Sequence, residues 1–197
     1  MVDTAAINVL HVDDNPTFVD IVTEMLEHAD DRFAVQTAHT AAAAIQQSTE
    51  TAPDCILADY ELPEQTGIEF LETIREEYPD RPFILLTGKG NEAVASEAIA
   101  AGATDYLQKR KIVDHQEVLV NRITNAVEQY RATQQAAALQ RIQTIISDVN
   151  QALVRADSRS DAETRVCEII SDAEPYRFAW IGAVDDDSQE VIPRASA

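Results

Sequence analysis

The chain has 197 residues, and its 35 acidic residues against 15 basic ones give a formal net charge of −20. This length allows one full domain with a sizeable core, together with a smaller second unit. The acidic balance argues against direct contact with nucleic acid, because phosphate backbones are bound by basic patches. There is no long apolar run and no charged-then-apolar leader, so we expect a soluble, cytoplasmic protein that does not enter a membrane.

Five short apolar segments alternate with helical patterns in the first two thirds of the chain. The predicted strands cover residues 7–12, 33–38, 55–59, 83–87 and 105–109, and the predicted helices begin near residues 16, 40, 67 and 92. This alternation predicts an α/β domain with a parallel sheet and helices on both faces. In open sheets of this class, the functional crevice lies outside the carboxyl ends of the strands.

Polar residues follow four of the predicted strands at their carboxyl ends. They are Asp13 and Asp14, Asp59, Thr87, and Lys109. Carboxylates that converge repel one another, and a hard divalent cation such as Mg²⁺ resolves that conflict because it prefers oxygen ligands.

An aspartate beside Mg²⁺ is a competent nucleophile toward a phosphoryl group. Lys109 can place a point charge against the transferred oxygens, and Thr87 can donate its hydroxyl. Gly88 leaves room for a phosphoryl donor to approach. These residue types together predict a phosphoryl-accepting site.

A long helical pattern covers residues 113–155, as one helix or two joined ones, and carries two apolar stripes. The first stripe is Val120, Ile123, Val127 and Tyr130, and the second is Leu139, Ile142, Ile146, Val149 and Leu153. The stripes are out of register with each other. We therefore expect the first to seal the sheet domain and the second to form a coiled coil that can pair two copies of the chain; a capping helix of a single domain is the alternative.

The last forty residues predict one short helix, then a strand over 177–184, a turn at 185–188 and a second strand at 190–193. One helix and one hairpin cannot bury a core of their own. This segment therefore reads as part of a second α+β domain. The two cysteines, Cys55 and Cys167, have no metal-ligand spacing and are expected to be reduced and buried.

The segment from about residue 7 to 130 resembles a response-regulator receiver domain of two-component signalling. The resemblance is carried by the acidic pair Asp13 and Asp14, by Asp59 with Pro63 and Gly67 beyond it, by Thr87, and by the run at 105–109. It implies a doubly wound, flavodoxin-like sheet in the order 2-1-3-4-5. It also implies a phosphoacceptor switch, and no enzyme with substrate turnover.

The resemblance assigns a role to each site residue. Asp59 accepts phosphate from a sensor histidine kinase. Mg²⁺ is held by Asp14, by Asp59 and by the backbone carbonyl of Glu61, with Asp13 acting through water. Thr87 and Tyr106 form the switch: Thr87 moves toward the phosphoryl group, and the ring of Tyr106 turns inward.

One position departs from the family pattern, which usually has proline after the lysine where this chain has Arg110. A cis peptide before a non-proline residue costs about 2.5–4 kcal/mol, so we expect a trans Lys109–Arg110 bond. We also expect Glu61 and Lys89 to flank the crevice as an exposed pair that hinders water from attacking the aspartyl phosphate.

Two further resemblances concern the rest of the chain. Scarce lysine with retained arginine resembles the proteins of salt-loving archaea, and an ordinary acidic protein is the alternative. The segment 174–182 resembles the opening of a GAF-type sensory domain. The resulting division is a receiver domain at 1–130, a helical coiled-coil linker at 131–157, and the start of a GAF-like domain at 158–197.

Other functions stay open from the residues alone. A hydrolase of the haloacid-dehalogenase type also uses an aspartate nucleophile and an acid two residues on, where Glu61 stands, but the rest of that signature is missing. A receiver-like interaction module that is never phosphorylated is a third reading. His11 is interpreted as a core residue, and His28, His39 and His115 as surface residues.

Overall fold

The structure is a computed structural model that describes residues 5–88, 92–184 and 191–197. Its strands are β1 (Ile7–Val12), β2 (Phe33–Ala38), β3 (Cys55–Asp59), β4 (Phe83–Thr87), β5 (Asp105–Gln108), β6 (Trp180–Val184) and β7 (Val191–Ser196). Its helices are α1 (Pro16–Ala29), α2 (Ala41–Thr51), α3 (Gly67–Glu77), α4 (Glu92–Ala100), α5 (Lys109–Asp114), α6 (Gln116–Arg155) and α7 (Arg159–Asp172). The chain forms two compact units, residues 1–132 and 133–197.

The first unit contains a five-stranded parallel sheet in the order β2-β1-β3-β4-β5. The central strands β3 and β4 are buried along their whole length, as continuous apolar runs in a parallel sheet require. One apolar cluster lies between the sheet and helices α1, α5 and α6, and a second lies between the sheet and helices α2, α3 and α4. The predicted doubly wound fold is confirmed.

Three helices of this unit, α1, α2 and α3, begin at residues whose side chains cap the first turn. Asn15 accepts hydrogen bonds from the first turn of α1, and Thr40 does the same for α2. Thr66 and Glu69 form a reciprocal capping box at the start of α3. These caps fix the three loops that surround the carboxyl ends of β1, β2 and β3.

The first apolar stripe of the long helix packs on the sheet, as predicted. Ile123 and Val127 of α6 are fully buried in the same cluster as α1. Farther along α6, Arg131 lies 2.9 Å from the Asp54 carboxylate, which precedes β3, and also donates to the backbone carbonyl of Ala6. This ion pair ties α6 to the amino-terminal edge of the sheet.

Three predicted boundaries are wrong. Lys109 does not end β5 but begins α5, so the helical region starts at residue 109 rather than 113. His115, with φ −141° and ψ 78°, separates α5 from α6, which agrees with the alternative of two joined helices. The strand expected from residue 177 begins only at Trp180. The expected turn at 185–188 lies outside the described residues.

In the second unit, α7 packs on an antiparallel hairpin formed by β6 and β7. Cys167 of α7 is buried, and so is Cys55 in the sheet, and both are free thiols, as predicted. Within the described ranges, no helix is both long enough and apolar enough to cross a bilayer.

Candidate functional site

The alternation of side chains along the strands decides which polar residues meet. Val9 on β1, Leu57 on β3 and Leu107 on β5 all face the cluster beneath α1 and α6. Because side chains alternate with a period of two, Asp59 two residues beyond Leu57 lies on that same face. Asp13 comes four residues after Val9, and Lys109 comes two residues after Leu107. Both spacings are even, and the three side chains converge on that face.

The two predicted switch residues belong to the opposite face. Leu85 on β4 faces the cluster beneath α3 and α4, so Thr87 two residues later does too. Tyr106 pairs in register with Leu85, is half-buried, and packs against that second cluster. Thr87 is almost fully buried at the carboxyl end of β4.

Lys109 bridges the two buried carboxylates. Its Nζ lies 2.7 Å from Oδ2 of Asp13 and 2.9 Å from Oδ2 of Asp59. The ammonium group also lies 4.8 Å from the ring centroid of Phe18, on α1. The lysine therefore supplies the positive charge that burial of the two acids demands.

Backbone and side-chain hydrogen bonds fix the acidic loop after β1. The other carboxylate oxygen of Asp13, Oδ1, accepts from the backbone N–H of Asn15 at 3.0 Å. The backbone N–H of Asp13 donates to the carbonyl of Ala38 at 3.1 Å. His39 Nδ1 lies 3.0 Å from the Asp13 carbonyl, which accepts its N–H. The loops after β1 and β2 therefore hold each other in place.

Burial and charge set the protonation of Asp59 and Lys109. Burial raises the pKa of the Asp59 carboxyl above its usual value, and Lys109 opposes part of that rise. Burial acts to lower the pKa of Lys109, but its bonds to Asp13 and Asp59 outweigh this effect and hold that pKa above its usual range. The site thus keeps a permanent cation beside a carboxylate whose charge is costly.

His11 lies beside Asp13 and is fully buried, which confirms its interpretation as a core residue. Its ring meets Phe18 edge-on, with 5.9 Å between centroids, and its Nε2 is 3.9 Å from Asp13 Oδ2. Among the residues that the structure describes, neither ring nitrogen has a hydrogen-bond partner. Burial lowers its pKa to about 4, with Asp13 opposing and Lys109 reinforcing the shift.

We expect acidification to destabilise the fold through His11. Between the unfolded pKa of 6.5 and the folded value of about 4, the unfolded chain binds a proton that the folded chain does not. The contribution of neutral His11 to the free energy of unfolding is therefore complete above the unfolded pKa. It is lost as pH falls toward the folded pKa, and the loss is at most about 3 kcal/mol.

Urea unfolding of the wild type and of His11→Leu checks this expectation. From neutral pH down to about pH 5, the wild type should lose more of its free energy of unfolding than the leucine variant does. The carboxylates titrate in both proteins, so the difference isolates His11. Parallel pH profiles would contradict it.

The acidic residues fit Mg²⁺. Asp13, Asp14 and Asp59 can each offer one ligand atom, with all three atoms within 4.8 Å of one another. Opposite ligands of one Mg²⁺ ion are about 4.2 Å apart, so this spacing suits an ion that some carboxylates reach through water or after a small movement. Asp14 is exposed, which leaves one side of the group open to solvent and phosphate oxygens.

Most of the residues predicted for the site lie at this edge of the sheet. Glu61 follows β3 and forms an isolated antiparallel backbone bridge with Thr66 across the loop to α3. The Lys109–Arg110 peptide bond is trans, as predicted, and Lys109 nonetheless reaches both acids. Lys89, the expected partner of Glu61, lies outside the described residues.

Sequence reasoning missed the contribution of His39. It is exposed, as predicted, and so are His28 and His115. Its bond to the Asp13 carbonyl joins two loops that are 26 residues apart in the chain. No local pattern signals such a contact, since it depends on β1 and β2 being neighbours in the sheet.

Comparison with known proteins agrees with this geometry. Residues 9–124, well over half of the chain, match the response regulator receiver domain family. The nitrogen assimilation regulatory protein NtrX of Azorhizobium caulinodans is 28% identical over 141 residues, covering 71% of this chain and 31% of the relative. The photosynthetic apparatus regulatory protein RegA of Rhodovulum sulfidophilum is 35% identical over 102 residues, covering 52% of this chain and 55% of the relative.

The fold also agrees with that of a solved structure. A response regulator receiver domain protein from Clostridium thermocellum superposes with a TM-score of 0.59 at 27% identity, covering 64% of this chain and 98% of the other. By contrast, the chain spans only 31% and 55% of the length of the two curated relatives. With its family match, sheet order and strand-end acids in agreement, the chain belongs to the response regulator receiver domain family.

Proposed function

We propose that this protein is a two-component response regulator in which Asp59 accepts a phosphoryl group from a sensor histidine kinase. The observation that carries the proposal is the arrangement at the end of β3. There Asp59 lies 2.9 Å from the Lys109 ammonium and within reach of two further carboxylates. Its function as a switch would follow from the change in charge at this site.

In the transfer step, a carboxylate oxygen of Asp59 attacks the phosphorus atom. The new O–P bond forms as the P–N bond to the donor histidine breaks, and the imidazole leaves with that electron pair. The Lys109 ammonium would move from the two carboxylates to a phosphoryl oxygen. There it would position the phosphoryl group and offset the negative charge that this group adds.

Mg²⁺, when bound, would neutralise charge on the phosphoryl oxygens. Asp14, Asp59 and the backbone carbonyl of Glu61 are the proposed ligands, with Asp13 acting through water. The ionised state that Asp59 needs, both as a ligand and as a nucleophile, is favoured by Lys109. Without Mg²⁺ the charge on the phosphoryl oxygens would not be neutralised, so removal of the metal should stop the reaction.

Thr87 and Tyr106 are the proposed readout. Tyr106 packs against the apolar cluster beneath α3 and α4. The alternation of side chains along the strands puts Thr87 on that same face and Asp59 on the other. A hydroxyl of Thr87 that turns toward a phosphoryl group would vacate space on that face, and the half-buried Tyr106 ring is placed to fill it. Phosphorylation would thereby remodel the surface formed by α4 and β5.

The competing function is an aspartate-nucleophile hydrolase, and phosphate accounting separates the two. The full chain would be incubated with acetyl phosphate and Mg²⁺ in high salt, and bound and released phosphate would be measured over time. A switch reaches about one phosphoryl group per chain, followed by slow release, whereas an enzyme releases many equivalents without accumulation. Rapid multiple turnover would contradict the proposal.

Four parts of the interpretation stay predictions. They are the origin in a salt-loving archaeon, the cytoplasmic location, the division at residues 130 and 157, and the GAF-like nature of residues 158–197.

A further inference from the structure

The second apolar stripe of α6 remains exposed in the second unit. Leu139, Ile142, Ile146 and Leu153 are between 50% and 63% exposed. Together with the half-buried Val149, they step by three and four residues and define one heptad seam, with Leu139 at position a and Ile142 at position d. We call these five residues the α6 seam.

The neighbouring face of α6 is already covered by α7. Ala152 of α6 and Cys167 of α7 are buried, and Ile145 is partly buried. Beside this contact, an apolar groove of about 300 Å³ is lined by Ile142, Ile145, Ile146, Ile170 and Tyr176. The exposed seam thus flanks an existing helix pair and continues its apolar surface.

The charge distribution along α6 favours a second copy of the chain as the occupant. A net charge of −20 makes copies of this protein repel one another over most of their surface. About a quarter of all residues are charged, yet residues 133–153 contain only Arg141 and Asp148. This segment carries no net charge, so two copies can approach here without that repulsion.

The seam composition indicates how many helices share the core. The a positions are Leu139, Ile146 and Leu153, and the d positions are Ile142 and Val149. The pair Leu139 and Ile142 has leucine at position a and isoleucine at position d, a combination that favours assemblies of more than two helices. Two copies supply four helices, because each brings both α6 and α7. We propose that two copies of this chain associate through the α6 seam and form a four-helix core from α6 and α7 of each copy.

Sedimentation equilibrium of the full chain in high salt tests this proposal. The wild type should be a dimer, and Ile146→Glu should weaken self-association at least about tenfold, because it buries an unpaired charge at the centre of the seam. Leu139→Glu should act in the same direction, and it lies outside the groove beside α7. Lower salt should also weaken the wild-type dimer.

Val154→Glu is the matched control. Val154 is 86% exposed on the same helix and is not part of the seam, so the same new charge should leave the dimer intact. Far-ultraviolet circular dichroism would verify that all variants are equally helical. A monomeric wild type, a trimer or tetramer, a dimer that survives both seam variants, or equal weakening by Val154→Glu would each overturn the proposal. The result does not depend on phosphoryl transfer.

Discussion

Replacing Lys109 with methionine should cost the folded protein about 3–5 kcal/mol when Mg²⁺ is absent, because two buried carboxylates lose their shared cation. Asp13 is fully buried, Asp59 nearly so, and both lie within 2.9 Å of the ammonium that the substitution removes. Protonation of Asp59 limits the loss, since its pKa is already raised by burial. The stability difference between the wild type and Lys109→Met should therefore shrink as pH falls. It should also shrink when Mg²⁺ restores positive charge beside the carboxylates.

Urea unfolding of Lys109→Met with and without Mg²⁺ measures both effects. Lys111→Met is the matched control, because Lys111 is exposed on the same short helix. It should unfold like the wild type, and Mg²⁺ should raise the stability of Lys109→Met more than that of either other protein. If Lys109→Met without Mg²⁺ were as stable as Lys111→Met, the lysine would not be the counter-charge of the site.

Replacing Gly67 with alanine should cost about 3 kcal/mol or more, because the added methyl group has no room. Its carbon would lie 2.3 Å from the backbone carbonyl oxygen of Asp59 and 2.7 Å from a methyl group of Leu85. The Gly67 N–H also donates to the Tyr60 carbonyl at 2.8 Å, so the start of α3 cannot simply shift outward. Relief of the collision would displace the phosphoacceptor itself.

Thermal and urea unfolding of Gly67→Ala test this close approach, with Gly88→Ala as the matched control. A methyl group at Gly88 meets no atom of the described residues within 4 Å, so that variant should keep its stability. The rate of phosphoryl acceptance should also fall in Gly67→Ala under conditions where it remains folded. Equal stability of the two variants would show that α3 does not press on the end of β3.

The parts of this fold that sequence patterns predict are those set by local physics. Strands β3 and β4 are buried on both faces, so their sequences are uninterrupted apolar runs with sharp ends. The caps at Asn15 and Thr40 fix helix starts by short-range hydrogen bonds. Because parallel strands end at one edge, the acids after β1 and β3 could be brought together from the sequence alone.

The parts that could not be predicted depend on contacts between distant segments. Lys109 continues the pattern of β5 in the sequence, yet it begins a helix, and its side chain is drawn to Asp13 and Asp59. Likewise, nothing near His39 indicates that it bonds to the loop after β1. The partly exposed α6 seam is a similar case, because the proposed burial of its residues depends on a second chain.

The central claim, that Asp59 is the phosphoacceptor, is tested most directly by intact-mass measurement after incubation with acetyl phosphate and Mg²⁺ in high salt. Wild type, Asp59→Asn and the exposed control Asp31→Asn would be compared, each with and without Mg²⁺. We predict a single phosphoryl adduct that requires Mg²⁺, persists in Asp31→Asn and is absent from Asp59→Asn. An adduct of equal yield in Asp59→Asn, or none in the wild type, would contradict the assignment of this site.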